Sequence, residues 1–259
     1  MSYWNAFARK YPGIPVLRLE GGSIFNFGVA EGPVVNRWML EGTAKSGLDA
    51  VNLTAWDLPV WQELGDLAAS GLIPREQLAL PIVSANLVAR AANFPRVERY
   101  LIKEYSFGGK AVRVGITGVL ADPDERISKR DFGFTEPQAA ARQVVEELKP
   151  RTDYRILLTD TDIGKAISLS IGVPGFHMIV VGHNYHSLLD AQQIGDSLLV
   201  VPLNEGRAIG EVRLTLGGST TPVPAEARAI PLDRTVPDDP VLGQLVRTAQ
   251  ADLETFRRK

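Results

Sequence analysis

Pro174-Gly175-Phe176-His177-Met178-Ile179-Val180-Val181-Gly182-His183-Asn184-Tyr185-His186 is the stretch on which the fold turns. A short apolar run, opened by Pro-Gly and stopped by Gly182-His183, predicts a buried strand that delivers polar side chains to a loop at its C-terminal end. Open α/β sheets place their sites at such ends. All three histidines of the chain fall in this segment, and His183, at the strand's end, is the one to explain. A histidine there becomes a metal ligand only if other donors converge on it; otherwise it is a hydrogen-bonded turn residue.

Around this strand the composition sets bounds. With 259 residues, 45% hydrophobic and 22% charged, the chain can bury a core of one large domain. A net charge of -2 and scattered Lys and Arg provide no basic field, so neither nucleic acid nor an acidic membrane surface is an expected partner. The absence of cysteine excludes disulfides, thiolate catalysis and Cys-based zinc or iron-sulfur sites. No apolar run is long enough to span a bilayer, and the opening residues Met1 to Lys10 lack the apolar stretch of a signal peptide. As written the chain is expected in the cytoplasm, or in the periplasm if an upstream signal is missing.

Working outward, Ile14 to Leu19 reads as a first strand running into the small-residue loop Glu20-Gly21-Gly22-Ser23. Val34 to Lys45 has helical apolar spacing, with Gly47 placed for a left-handed cap. Leu48 to Leu53 is a second strand feeding Thr54-Ala55-Trp56-Asp57, and Trp61 to Ser70 a helix stopped by Gly71. Pro81 to Leu87 and Lys110 to Leu120 are further strands, the latter placing Val112, Val114 and Ile116 on one face, and Gly108-Gly109 before it reads as a hairpin turn rather than a phosphate loop. The charged segment Asp122 to Phe134 is a predicted surface loop. Thr135-Glu136-Pro137-Gln138 is a capping box opening a helix that runs to Lys149. Arg155 to Leu158 is a strand ending at Thr159-Asp160-Thr161-Asp162, a short helix lies around Lys165 to Ser170, and Ser197 to Pro202 and Ile209 to Leu216 are late strands. Thr220 to Pro224 reads as a linker and Asp239 to Arg258 as a final amphipathic helix. Strands alternating with helices, then strands in succession, predict an α/β sandwich.

Four strand-to-loop junctions thus accumulate: Glu20-Gly21-Gly22, Thr54-Ala55-Trp56-Asp57, Thr159-Asp160 and Gly182-His183-Asn184-Tyr185. Their order resembles the 5'-nucleotidase branch of the calcineurin-like metallophosphoesterases. That family carries G-D after a strand, G-N-H-E after G-x-D-A-V, S-H after an L-L-x run and G-H-x-H after I-V-G. The frames match at Leu17 to Gly22, Gly47 to Asp57, Ile82 to Leu87 with the family's S-A-N, Val114 to Gly118, Glu136 to Leu148 and Ile179 to His183. Ile230 to Pro240 resembles the segment that leaves the catalytic domain in two-domain members. The resemblance implies an α/β metallophosphoesterase-type four-layer α/β/β/α sandwich in a single domain, with residues 1–220 as the metallophosphoesterase-like domain and 221–259 as linker and C-terminal helix.

The side chains depart from that frame. Two bridged dications need carboxylate, amide and imidazole donors to clamp a phosphate and polarise a water. Gly22 stands at the G-D aspartate, Ala55 and Trp56 at the asparagine and histidine of G-N-H-E, Asp160 at the S-H histidine and Tyr185 at the second histidine of G-H-x-H; the family's opening D-x-H strand has no counterpart. His183 alone survives, with Asp160 as the one replacement able to ligate, so His183 and Asp160 are the metal candidates. No catalytic residue is assigned and no cofactor is expected. The expectation is a catalytically degenerate member with a binding or assembly role, its partner an unknown protein or a second copy. The competing expectation is a metal-dependent phosphoester hydrolase. It would hold one divalent metal weakly in a rearranged site of Asp57, Asp160, Asp162, His183 and His186, or would lack its N-terminal metal-binding strand. The missing strand should also leave an open edge beside Ile14 to Leu19, which residues 1–13, with Tyr3, Trp4 and Phe7, would fold back to cover, unless a second protomer does so or the lead is an ordinary helix.

Overall fold

The computed structural model describes residues 1–121, 130–182, 190–202, 206–216 and 222–258. In chain order the elements are α1 (Ser2–Lys10), β1 (Leu19–Glu20), α2 (Gly32–Ser46), β2 (Ala50–Val51), α3 (Asp57–Ala69), β3 (Leu87–Ala89), β4 (Tyr100–Phe107), β5 (Lys110–Leu120), β6 (Phe132–Phe134) and α4 (Pro137–Leu148). There follow β7 (Tyr154–Asp160), α5 (Ile163–Gly172), β8 (Met178–Val181), β9 (Asp190–Ile194), β10 (Ser197–Val201), β11 (Ala208–Leu216), β12 (Pro222–Pro231) and α6 (Pro240–Arg257).

The main sheet has the order β4-β5-β7-β8-β10-β9. Its four inner strands are parallel and its two edges antiparallel. Parallel strands buried on both faces need apolar side chains on both, and the alternation is plain in β7 and β8. Tyr154, Ile156, Leu158, Met178 and Val180 point to one side with Val112, Val114 and Ile116. Leu157, Ile179 and Val181 point to the other, against Ala141 and Val145 of α4 and Ala166 and Leu169 of α5. The first face meets Ala50 and Val83 of a second, ragged sheet. In that sheet β1 pairs with β2, Val51 bridges to Ile82 and Val83 to Glu98. Its far face packs Val51, Leu53 and Ile82 on Leu40 of α2 and on Leu58, Trp61 and Leu64 of α3. Helices, main sheet, second sheet and helices make the four-layer α/β/β/α sandwich.

Most predicted elements are present with altered ends. Gly47 ends α2 at φ 69. Gly108 and Gly109, at φ 58 and 76, make the tight turn that joins Phe107 to its partner Lys110, a conformation side-chain-bearing residues resist. The cap of α4 is Glu136 rather than Thr135, its carboxylate accepting from the Gln138 and Ala139 amides. The strand expected over Ile14 to Leu19 narrows to Leu19–Glu20, and the one over Pro81 to Leu87 becomes two isolated bridges followed by β3. Phe132–Phe134 pairs with β3 rather than lying in a loop; residues 122–129 lie outside the described residues. Residues 222–224 are not a linker. Val223 pairs with Thr215 in the β11–β12 hairpin, stapled by Arg228 donating to Glu211, and α6 lies on α2 with Asp252 accepting from the Trp38 indole at 3.1 Å. The lead forms the helix α1, tied to this hairpin by a Tyr3 hydroxyl donating to Glu211, with Arg213 over the Phe7 and Tyr11 rings.

His177 is a structural residue at the N-terminal end of β8. Its Nδ1 accepts the Arg155 amide at 3.0 Å and its ring stacks on Tyr154, centroids 4.8 Å apart. Burial, then the Arg155 charge, hold its pKa down to about 4. A base whose folded pKa lies below its unfolded value stabilises the fold fully above the unfolded value, near 6.5, and loses that contribution as pH falls toward about 4. His177→Gln is therefore expected to flatten the acid limb of the melting profile between those two pH values. Each kcal/mol corresponds to about 2–4 °C in a chain of this size, read by calorimetry at stepped pH.

Candidate functional site

The parallel strands of each sheet end on the same side, and the described residues of the four predicted junctions, of which the last is represented by Gly182, converge there. The β1 and β8 ends meet backbone to backbone: a Cβ on Gly182 would lie 2.2 Å from the Gly21 carbonyl oxygen, and one on Gly21 2.8 Å from the Gly182 Cα. The β2 loop reaches β7, with the Ala55 amide donating to Asp160 Oδ2 at 3.0 Å. Asn52, fully buried, lies between the sheets with its amide nitrogen toward the Gly21 and Val119 carbonyls. Gly118 leaves room for it, since a Cβ there would meet Asn52 Oδ1 at 2.3 Å. Asn86 closes the edge, accepting from the Leu120 amide and donating to the Leu120 and Thr135 carbonyls.

Three carboxylates face this junction. Asp57, at the start of α3, is fully buried. Its Oδ1 accepts from the Phe25 amide at 2.8 Å, and its Oδ2 from Ser23 N, Thr54 N and Thr54 Oγ1 at 2.9, 2.7 and 2.9 Å. Burial raises its pKa against the pull of these donors. Asp160 is pushed up to about 7, by burial first, with the Ala55 amide opposing and the Asp57 charge adding to the rise. Glu20 is raised as well, chiefly by burial of its carboxyl, while the Gly22 and Gly21 amides favour its anion.

Of the residues named from sequence, Asp57 and Asp160 are brought together. Asp162 is turned away: exposed, it caps α5 by accepting the Lys165 amide, which lowers its pKa. His183, Tyr185 and His186 lie outside the described residues. Among the described residues no group of three or more His, Asp or Glu is arranged to hold a metal ion. Glu20 and Asn52 escape the sequence reading. A carboxylate closing a strand before Gly-Gly, and an amide inside an apolar run, are the available signals, since polar groups buried at such positions need a reason.

The donor set does not fit the two-metal group that the resemblance implies. Gly22 has φ +116, and a Cβ there would lie 2.9 Å from Thr54 Cγ2 and 3.1 Å from Thr54 N, so an aspartate side chain has no room without displacing the β2 loop. Ala55 and Trp56 offer no oxygen or imidazole donor, and the Trp56 ring packs on Phe27, centroids 5.8 Å apart.

A sandwich with its polar residues at these strand ends is the calcineurin-like phosphoesterase fold, and solved structures share it across nearly the whole chain. YfkN of Bacillus subtilis, a calcineurin-like phosphoesterase, matches with a TM-score of 0.75 at 16% identity, over 99% of this chain and 89% of that one. The 5'-nucleotidase precursor of Thermus thermophilus matches at 0.76 and 17% identity, over 98% of this chain and 52% of that one. The sulfate thiohydrolase SoxB of the same species matches at 0.76 and 16%, over 97% and 46%. Among curated proteins, the metallophosphoesterase YunD of Bacillus subtilis (strain 168), itself uncharacterised, is 22% identical over 191 residues, 73% of this chain and 38% of its own length. The chain thus spans well under half of that relative. No family model matches.

Asp57 gathers the Gly22–Phe25 loop and the β2 loop around one carboxylate. Asp57→Ala would strand three backbone amides, each costing roughly 1–3 kcal/mol when unpaired. A loss of about 3 kcal/mol or more in urea unfolding is expected on that basis, with a smaller loss for Asp57→Asn, which keeps one acceptor oxygen.

Proposed function

We propose that this phosphoesterase-fold domain does not hydrolyse phosphate esters by itself and serves in binding or assembly with another protein. The observation that supports this reading most is Gly22: the backbone there is closed against Thr54, at the position where the resemblance puts the G-D aspartate. The Ala55 and Trp56 replacements point the same way, and so does Asp57, whose two oxygens already accept four donors from the chain itself. Fold alone does not carry function, and a 5'-nucleotidase precursor and a sulfate thiohydrolase share this one backbone. The side chains at the junction therefore decide.

A second reading rests on the grouping of the carboxyls Glu20, Asp57 and Asp160 at one junction, where burial first, and then the Asp57 charge, raise the pKa of both Glu20 and Asp160. Carboxylate oxygens suit one weakly held divalent cation, in a hydrolase with a rearranged site drawing on Asp57 and Asp160, or in one whose N-terminal metal-binding strand is missing from this chain. The expected outcome is that the purified protein carries no stoichiometric transition metal, that Mn²⁺ or Zn²⁺ does not raise its melting temperature, and that neither a nucleoside monophosphate nor an aryl phosphate is hydrolysed. Gly22→Asp is expected to destabilise by about 1–3 kcal/mol through overpacking and to gain no metal-dependent shift. One or two tightly held ions per chain with measurable ester hydrolysis would replace the binding reading by the hydrolase.

A further inference from the structure

At the end of the main sheet opposite the carboxylate junction, Arg155 stands near the start of β7 and His177 immediately precedes β8. The Arg155 guanidinium is pinned by the backbone: its Nε donates to the Gly175 carbonyl at 2.6 Å and its Nη1 to the Thr152 carbonyl at 2.9 Å. Thr152 is held in turn, its hydroxyl donating to the Leu148 carbonyl. The remaining amino group, Nη2, lies 3.2 Å from His177 Nε2, and both side chains are partly buried. Among the described residues Arg155 forms no ion pair, since Asp153 pairs with Arg113 and Glu146 with Lys149. Burial lowers the Arg155 pKa, with the Asp153 and Glu146 charges opposing.

The imidazole cannot accept at both of its nitrogens. His177 Nδ1 accepts the Arg155 backbone amide at 3.0 Å. The ring, held neutral by burial and by the Arg155 charge, carries a single proton, which must therefore sit on Nε2. A half-turn of the ring does not help, because it would set carbon against both the Arg155 amide and Nη2. Nε2–H and Nη2–H are thus two donors facing one another with no acceptor between them. Partly buried donors are rarely left so, and donors converging on a fixed guanidinium are the arrangement that receives an oxyanion. Lys149 adds a cation at the rim: its side chain lies across Gly175, where a Cβ would stand 2.7 Å from Lys149 Cε and 3.4 Å from Nζ. Asp196, in the β9–β10 turn, acts on His177 through its charge alone.

We propose that Arg155 Nη2 and His177 Nε2 form an anion site that takes a carboxylate, one oxygen on each donor. A carboxylate fits better than a phosphate. The site offers one guanidinium charge, the Lys149 charge is shared with Glu146, and Asp196 adds a negative charge nearby, so a monoanion is matched where a dianion is not. Because two backbone carbonyls already fix the guanidinium, little side-chain freedom is lost on binding. The site lies at the N-terminal ends of β7 and β8, and it does not depend on whether the junction at their C-terminal ends is catalytic.

The test is a heteronuclear NMR titration of the full chain with sodium acetate near neutral pH, with chloride holding the ionic strength constant and the His177 ring signals assigned by their loss in His177→Gln. Before acetate is added, the ring is expected as the Nε2–H tautomer. Acetate is expected to move the Nε2–H and the Arg155 side-chain signals together and saturably, with half-saturation below about 20 mM, and sulfate to bind more weakly. Arg155→Met should lower acetate affinity roughly tenfold. If that variant fails to fold, the tautomer and the titrations of the unaltered protein still decide. An Nδ1–H tautomer would show that the two donors do not converge, and absence of a saturable shift would show that solvent suffices for them. Equal affinity in Arg155→Met would show an adventitious ion only, and tighter binding of sulfate a site for dianions. If Asp196→Asn, with no acetate present, moves the Nε2–H signal as far as acetate does in the unaltered protein, the chain's own Asp196 already fills the site. Each of these five results overturns the proposal.

Discussion

The contact on which the molecule depends is the one between two glycines. Gly21 follows β1 in the second sheet and Gly182 follows β8 in the main sheet, and neither position has room for a methyl group. Face-packed sheets ordinarily stand about 10 Å apart, separated by interdigitating side chains. Here the twisted layers converge at one end until backbone touches backbone, and the strand ends are drawn into a single cluster. The Ala55 to Asp160 hydrogen bond and the buried Asn52 between the same layers follow from that approach.

Polar groups at the convergence are consumed by the chain itself. Asp57 holds two loops through four accepted hydrogen bonds, Asn86 joins the β5 end to the start of the α4 segment, and Asp162 caps α5. A carboxylate that accepts that many donors has few lone pairs left for a cation. Ligation would require breaking bonds that keep the loops in place.

The sandwich is legible in the sequence because its inner strands obey a simple rule. Strands buried on both faces read as unbroken apolar runs, and Ile179 to Val181, Ile156 to Leu158 and the alternating Val112, Val114 and Ile116 can be placed from residue types alone. Elements whose existence rests on a neighbour are not legible. Ile14 to Leu19 is apolar enough for a longer strand, yet only Leu19 and Glu20 find a partner in β2. β4 escapes notice because Lys103 and Glu104 interrupt its pattern, which an antiparallel edge with one solvated face tolerates. β12 reads in part as a linker on account of Pro222 and Pro224, which an outer strand accommodates because its free edge needs no donor. At the site, the four junctions and Asp160 are visible from the sequence. The part played by Asp57 is not, because its donors at Ser23 and Phe25 are brought to it by tertiary structure rather than by sequence proximity.

Where the junction's charge comes from bears on what the fold is doing. Two helices, α3 and α5, begin at this end of the sheets, and helix N-termini carry partial positive charge that favours anions such as phosphate. In this chain each start already has a carboxylate of its own, Asp57 in the first turn of α3 and Asp162 as the cap of α5. Both sources of anion affinity in the backbone are therefore met from within, and two further carboxyls, Glu20 and Asp160, stand beside them with pKa values raised by burial, that of Asp160 to about 7. A free phosphate ester would find both of these helix starts already taken by carboxylates of the chain.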